Sequence, residues 1–301
     1  MSSRLSKGGE LINRGEIVEF SFDGRRFFGF LGDTLASALL ANDQNLVGRS
    51  FKYHRPRGII SSGVEEPNAL VSLERGSKFE PNQRATVIEI YNGLMAQSQN
   101  RWPTLRFDLG SINSFFSPIF SAGFYYKTFI HPRFAWKHIF EPVIRQSAGL
   151  GNPPRYADTD KYEHFYSHVD VLIVGGGISG LLAAKVIGLS GAKVLLLEQS
   201  PSFGGRAMVD NVEVDSEQSK RWIAKTVEDI NKLDNVVMKT RIVSSGIYDH
   251  GFIIGYERVS DHKPNSGDIK HRLWKIRAKE VVVATGSIER PLVFPGNDTP
   301  G

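Results

Sequence analysis

The sequence contains no cysteine, and this absence excludes several kinds of chemistry. Disulfide bonds, thiolate catalysis, cysteine-ligated zinc and iron–sulfur clusters held only by cysteine are not available to it. Long apolar runs are also absent, since the best candidate, Phe115 to Tyr126, is short and interrupted by Pro118. The N-terminal residues lack the apolar segment of a signal peptide. We therefore expect a cytoplasmic protein that does not bind a membrane.

The chain also lacks a strong excess of charge of one sign. It has 37 basic and 32 acidic residues in 301, a formal net charge of +5. This mild excess does not by itself indicate nucleic-acid binding, and we expect no nucleic-acid partner. A hydrophobic content of 41% with 23% charged residues is typical of a soluble globular protein, and the length predicts about two domains.

The most informative stretch runs from Val171 to Glu198. An apolar run leads into Gly175, Gly177 and Gly180, which have the spacing G-x-G-x-x-G. A helical pattern and a second apolar run follow, so the order is strand, tight turn, helix, strand and acid. In a dinucleotide-binding unit the first glycine permits the turn, the second lets the pyrophosphate approach the backbone, and the third allows close packing of helix on strand.

Glu198 is the predicted contact for the adenosine ribose. Its carboxylate can accept hydrogen bonds from both ribose hydroxyls and would repel a 2′-phosphate, which favours NAD or FAD over NADP. The positive end of the helix that begins after Gly177 would hold the phosphates.

Further candidate cofactor-binding residues follow Glu198 in the sequence. A Gly-Gly pair lets backbone approach a bound pyrophosphate, and the arginine after it can pair with a phosphate oxygen. Later, a buried strand ends in a small-residue turn, and this order resembles the large FAD/NAD-linked two-dinucleotide fold. These candidates are Gly204, Gly205, Arg206, Ala284, Thr285 and Gly286. We identify no candidate catalytic residue and no metal ligand.

Local patterns predict most secondary structure. In the first part they predict a hairpin around Asp23-Gly24, a helix from Leu35 to Ala41 capped by Asp33 or Thr34, and strands at 69–73 and 86–91. In the second part they predict a helix over 216–233 capped by Ser216. Predicted strands there are 171–174, 194–197, 236–238, 242–248, 252–259, 273–276 and 281–283.

A basic loop, GRSFKYHRPRGI, follows the first helix. Its basic residues are Arg49, Lys52, His54, Arg55 and Arg57. Three interpretations remain open: it contacts an anionic group of a cofactor or substrate, it docks on an acidic partner surface, or it is a solvated loop.

The strings GDTLASALLAN, SFKYHRPRG and EEPNALV resemble the N-terminus of the alpha subunit of heterotetrameric sarcosine oxidase. The resemblance continues through NRWPTL, AGFYYKTFIHP and RQSAGLG and so covers nearly the whole chain. It implies a first domain similar to a ferredoxin β-grasp. Relatives that hold a cluster carry cysteines in the loop after the helix, so the resemblance together with the missing cysteines predicts this fold without its cluster. The family is much longer, which makes the chain an expected N-terminal fragment.

The resemblance also implies an activity. The family oxidises sarcosine to glycine, forms hydrogen peroxide and passes a one-carbon unit to tetrahydrofolate. Amine oxidation takes place on a flavin of the beta subunit, the alpha subunit binds NAD, and FMN lies between alpha and beta. The implied partners are the beta, gamma and delta subunits, with tetrahydrofolate bound through a missing C-terminal part. FAD is the alternative at the NAD site.

The expected organisation is therefore α/β and α+β. Residues 1–95 form a ferredoxin-like β-grasp domain, residues 96–168 an aromatic-rich connecting region and linker, and residues 169–301 an incomplete Rossmann-like dinucleotide-binding domain. The aromatics of 111–140 are interpreted as packing or subunit contacts. Two other functions remain open: an FAD-dependent reductase or opine/amine oxidase subunit that transfers electrons itself, and a non-catalytic scaffold.

Overall fold

The computed structural model describes residues 3–9, 11–118, 129, 131–147, 149–210, 212–263, 266–288, 290–297 and 300. The chain divides into two compact units, Met1–Thr159 with Glu289–Gly301, and Asp160–Ile288. None of the helices within these described ranges combines the length and apolarity needed to cross a membrane. The four aromatics Phe120, Phe124, Tyr125 and Tyr126, and the predicted loop at Pro264-Asn265, lie outside the described residues.

The first unit is built on a five-stranded sheet with the order β2-β1-β7-β5-β6. Its strands β1 and β7 are parallel, whereas the other neighbours are antiparallel. The bounds are β1 (Asn13–Phe22), β2 (Arg25–Leu31), α1 (Leu35–Ala41), β3 (Gly48–Arg49), β4 (Pro56–Arg57), β5 (Leu70–Leu73), β6 (Glu80–Arg84) and β7 (Leu94–Ser98). The buried face of α1 packs into the core of this sheet, so the hairpin, the helix and the strand near 70 are confirmed.

The N-cap of α1 is Thr34, whose Oγ1 accepts a hydrogen bond from the backbone N–H of Ser37 at 3.2 Å. The predicted strand over 86–91 is wrong. This segment is a turn with one β-bridge, and its backbone pairs with the start of α1 through Leu35 N–H to Ile88 O at 2.7 Å. Ile88 and Ile90 are nevertheless buried, which explains their strand-like apolar alternation.

The connecting region contains short helical turns at Leu109–Ser114 and Trp136–Phe140, followed by α2 (Glu141–Ser147). Its described aromatics are largely on the surface of this chain: Phe115 is 82% exposed and Phe134 is 77% exposed. These two rings therefore do not pack in the core of this chain, and a subunit contact remains the prediction for them.

The second unit has a six-stranded sheet with the order β12-β9-β8-β15-β14-β13. The first four strands in this order are parallel, and the last two join antiparallel. The elements are β8 (Tyr162–Val174), α3 (Ile178–Leu189), β9 (Val194–Leu197), β10 (Glu213–Val214), β11 (Glu217–Gln218), α4 (Ser219–Asn231), β12 (Val236–Lys239), β13 (Ile242–Tyr248), β14 (Phe252–Arg258) and β15 (His271–Val283).

Two predictions for this unit are wrong. The strands expected at 273–276 and 281–283 are one strand, β15, because it pairs with β8 along nearly its whole length. The helix expected from Ser216 begins at Ser219, since Ser216 has a φ of 63° in the turn between β10 and β11. The predicted domain boundaries stay predictions; β7 continues to Ser98, and the second unit begins at Asp160.

Candidate dinucleotide-binding site

The glycine loop between β8 and α3 is shaped by close backbone contacts. Gly175 has a φ of 107°, in the region that favours glycine. A Cβ added at Gly175 would lie 2.3 Å from the carbonyl oxygen of Ala284, and one added at Gly180 would lie 1.8 Å from the carbonyl oxygen of Gly175. Both positions exclude any side chain, because the loop turns directly against its neighbours.

Gly177 differs from these two glycines. It is the N-cap of α3 with an extended backbone, φ −73° and ψ −173°, which other residues also adopt. A Cβ added there would meet no described heavy atom within 4 Å. The space in front of Gly177, at the N-terminus of a twelve-residue helix, is therefore open to a group from outside the chain.

The Gly-Gly pair lies directly beside this loop. Gly204 forms a parallel β-bridge with Gly177, and its N–H donates to the carbonyl oxygen of Gly176 at 2.8 Å. A Cβ added at Gly205 would lie 3.4 Å from the Cα of Gly177. Two segments separated in sequence thus present glycine backbone to the same open space.

Glu198 follows β9 and is buried, with 5% of its surface exposed. Its Oε2 accepts a hydrogen bond from the N–H of Gly176 and its Oε1 from the N–H of Ser200, both at 2.7 Å. Each carboxylate oxygen retains further acceptor capacity. The acid is therefore fixed against the glycine loop, and the predicted ribose contact is compatible with this arrangement.

The remaining candidates lie at the edge of the site. Ala284 is joined to β8 through its N–H and the carbonyl oxygen of Val174 at 2.8 Å, and the exposed Thr285 and Gly286 continue the turn. Arg206 is exposed and forms an ion pair with Asp210, with Nε and Oδ2 3.1 Å apart. A phosphate would have to compete with Asp210 for this guanidinium, so its predicted role stays a prediction.

One supporting residue was not found from the sequence. The Oγ of Ser219, at the start of α4, donates to the carbonyl oxygen of Ala207 at 2.7 Å and is buried. This contact anchors the turn at Gly205–Met208 that carries the Gly-Gly pair. A serine at a helix start usually signals a cap, and its spacing gives no indication of a partner twelve residues earlier.

In the first unit, the basic loop is tied to the segment that follows β7. The guanidinium of Arg49 donates to the carbonyl oxygen of Leu105, with Nε 2.8 Å away. His54 is buried, and its Nδ1 lies 2.8 Å from Oδ2 of the buried Asp108. Two of the five basic residues of the loop, Arg49 and His54, are therefore structural, and the interpretation as a solvated loop is wrong for them.

Comparison with known proteins finds a family match in each of the two units. Residues 15–101 match the 2Fe-2S iron-sulfur cluster binding domain, and residues 173–219 match the NAD(P)-binding Rossmann-like domain. Over 100% of its length the chain is 48% identical to the sarcosine oxidase subunit alpha of Rhizobium meliloti (strain 1021). The chain is a homologue of the N-terminal part of sarcosine oxidase alpha subunits.

A second relative is the sarcosine oxidase subunit alpha of Corynebacterium sp. (strain P-1), 33% identical over 96% of this chain. This alpha-subunit homologue spans 30% of the length of the first relative and 26% of the second. Among solved structures, L-proline dehydrogenase from P. horikoshii matches 96% of this chain and 44% of its own, with a TM-score of 0.58 and 20% identity. That match supports the mixed α/β fold of the homologue.

Proposed function

We propose that this chain is the N-terminal portion of the alpha subunit of a multi-subunit sarcosine oxidase, and that its second unit binds NAD. The observation that carries this proposal is the 48% identity over the whole chain, together with two glycine segments that frame one open space beside a buried acid. In the proposed reaction sarcosine gives up two electrons and two protons, which reduce O₂ to hydrogen peroxide. Glycine is formed, and the methyl carbon passes to tetrahydrofolate.

The residues of the site fit a dinucleotide. The open space at Gly177 admits a pyrophosphate close to the backbone, and the first N–H groups of α3 donate to its oxygens. Glu198 accepts hydrogen bonds from the ribose hydroxyls, and its buried negative charge opposes a 2′-phosphate. FAD carries the same adenosine and pyrophosphate and is the alternative ligand at this site.

In the reaction, the part of this chain is to bind and orient NAD. NAD supplies redox chemistry when bound, whereas sarcosine is oxidised on a flavin of the beta subunit and FMN lies between alpha and beta. The beta, gamma and delta subunits are the partners, tetrahydrofolate is bound by a further part of the alpha subunit, and the complex is cytoplasmic.

The proposal predicts that the 301-residue chain alone does not oxidise sarcosine. Oxidation requires a flavin placed against the substrate C–H bond, and that placement is supplied elsewhere in the complex. The test measures peroxide with sarcosine, NAD, FAD and FMN, first with the chain alone and then with the complete alpha subunit and its partners. Enzyme-like turnover by the chain alone contradicts the proposal and supports an electron-transferring flavoprotein; no turnover in the complete complex contradicts the assignment to sarcosine oxidase.

A second prediction concerns iron. The segment that matches a cluster-binding domain contains no cysteine, so its residues do not fit a [2Fe–2S] cluster with thiolate ligands. We expect iron analysis of the purified protein to give no stoichiometric iron and low-temperature EPR after reduction to give no cluster signal. Stoichiometric iron with such a signal would show that other ligands hold a cluster here.

A third prediction concerns Glu198. The change Glu198→Ala removes the ribose acceptors and also the acceptors for Gly176 N–H and Ser200 N–H. We expect NAD affinity to fall about ten- to a hundredfold, since hydrogen bonds to a charged group contribute roughly 1.5–3 kcal/mol. Isothermal titration calorimetry measures this loss. Glu228→Ala, at an exposed position of α4, is a control with the same loss of charge in the same unit. An unchanged NAD affinity in Glu198→Ala would remove this residue from the site.

A further inference from the structure

The loop between β4 and β5 is folded around the buried carboxylate of Glu66. Its Oε2 accepts hydrogen bonds from the N–H groups of Ile60 and Ser61 at 2.9 Å and 2.8 Å, and from the Ser61 hydroxyl at 3.2 Å. Its Oε1 accepts from the N–H groups of Asn68 and Ala69 at 2.7 Å and 3.3 Å. One buried anion therefore joins the beginning of the loop to its end.

This set of donors is arranged as an anion cradle. A buried carboxylate is costly unless hydrogen bonds compensate its charge, and here two pairs of successive backbone N–H groups do so. Concave groups of backbone N–H donors are the usual surroundings of phosphates and of iron–sulfur clusters. In this loop the anion that they surround is a side chain of the loop itself.

The spacing of three residues in the loop is that of cluster ligands. Plant-type [2Fe–2S] domains bind their cluster through C-x4-C-x2-C and a fourth cysteine further along the chain. Residues 15–101 match a 2Fe-2S cluster binding domain, and Ser61, Glu66 and Ala69 have the same spacing. The contacts select this register, because positions 61 and 69 both touch the Glu66 carboxylate.

Thr86 approaches the same loop from outside it. This residue is buried, and its Oγ1 donates to the carbonyl oxygen of Gly63 at 2.7 Å. The preceding residue is also tied to the loop, since Ala85 N–H donates to the carbonyl oxygen of Ala69 at 2.9 Å. Position 86 therefore has the placement that a fourth ligand requires.

We infer that the carboxylate of Glu66 takes the structural place of the iron–sulfur cluster in this domain. A cluster joins the parts of its loop through iron–thiolate bonds and accepts hydrogen bonds from nearby N–H groups. Serine, glutamate, alanine and threonine at the four positions do not fit a cluster with thiolate ligands, but the loop fits an internal anion. The inference concerns the first unit alone and depends neither on NAD binding nor on sarcosine oxidation.

The test introduces thiolates at the four positions. The four-cysteine variant of the 301-residue chain carries Ser61→Cys, Glu66→Cys, Ala69→Cys and Thr86→Cys. After anaerobic addition of Fe²⁺ and sulfide, we expect about two iron atoms and two sulfides per chain, and a low-temperature EPR signal after reduction. Circular dichroism checks the fold before and after loading.

A shifted variant is the matched control. It has the same number of cysteines with the first three moved by one residue: Ile60→Cys, Glu65→Cys, Asn68→Cys and Thr86→Cys. It keeps Glu66 in the cradle, so we expect no stoichiometric cluster. Equal loading of the two variants would show that any cysteines in this loop suffice, and it would overturn the register inferred here.

Hydrogen exchange tests whether cluster and carboxylate hold the loop in the same way. Before loading, the N–H groups of residues 60, 61, 68 and 69 should exchange about tenfold faster or more in the four-cysteine variant, because their acceptor is missing. After loading, their exchange should slow again. A four-cysteine variant that takes up no iron, or that stays unfolded with iron and sulfide present, contradicts the inference.

Glu66→Gln tests the role of the anion without any iron. The amide keeps the shape of the side chain but replaces one acceptor oxygen by an NH₂ group, which cannot accept a hydrogen bond. We expect one pair of N–H groups, 60 and 61 or 68 and 69, to exchange about tenfold faster or more. Glu65→Gln is the control and should leave all four unchanged. Unchanged exchange in Glu66→Gln would show that the carboxylate does not hold the loop.

Discussion

We expect Gly177→Ala to weaken NAD binding strongly without destabilising the second unit, and Gly180→Ala to lower the free energy of unfolding of that unit. An alanine Cβ at position 177 meets no described atom within 4 Å and fits the extended backbone. Alanine is a poorer N-cap than glycine, at a cost below about 1 kcal/mol. The same Cβ occupies the space where a pyrophosphate approaches, so we expect affinity to fall about a hundredfold or more.

At position 180 the same methyl group would lie 1.8 Å from the carbonyl oxygen of Gly175. The helix must then move away from the strand, and overpacking of this kind costs roughly 1–3 kcal/mol or more. Calorimetry with NAD and thermal denaturation of both variants measure the two effects. The two variants are controls for each other, since each adds one methyl group to the same loop. Normal NAD affinity in Gly177→Ala would show that the pyrophosphate does not approach there.

The second large effect is expected for Glu66→Ala in the first unit. Glu66 is 1% exposed, and its carboxylate accepts hydrogen bonds from the N–H groups of Ile60, Ser61, Asn68 and Ala69. Its removal leaves several donors of the loop without their acceptor. Because each unsatisfied buried donor costs about 1–3 kcal/mol, we expect a loss of about 3 kcal/mol or more in the free energy of unfolding.

Urea denaturation measures this loss, and hydrogen exchange shows where it occurs. The amides of residues 60–69 should exchange faster in Glu66→Ala, whereas those of α3 and β9 in the second unit should not change. Glu65→Ala is the control, because Glu65 is the neighbouring carboxylate and is only partly buried. Equal stability of the two variants would contradict the role assigned to Glu66.

The sequence could predict the secondary-structure elements that are determined by residues close to one another in the chain. The hairpin around Asp23-Gly24 follows from a turn pair between alternating strands, and α1 follows from its apolar spacing and the cap at Thr34. The order of strand, glycine turn, helix, strand and acid also lies within one continuous stretch. These features depend on contacts between residues close in the chain.

The secondary-structure predictions that are wrong concern segments whose hydrogen-bond partners are distant in the sequence. Ile88 and Ile90 alternate like a strand, yet their segment pairs with the start of α1 instead of entering the sheet. The polar residues between 276 and 281 suggested a break, yet β15 continues because β8 pairs with it on one side. Local periodicity identifies neither the start of α1 nor β8 as a pairing partner. A strand forms only where a neighbouring segment supplies its hydrogen bonds.

For the site, the sequence determined the glycine spacing, the Gly-Gly pair and the acid, because the chemistry of a phosphate loop constrains residue types. Only the tertiary structure placed Gly204 against Gly177 and gave Glu198 the N–H groups of Gly176 and Ser200. It also turned Arg49 and His54 inward to Leu105 and Asp108, and left Asn68 Nδ2 unpaired within the described residues. Side-chain type indicates which bonds a residue can make, but folding decides which donors and acceptors meet, because burial removes water as the competing partner.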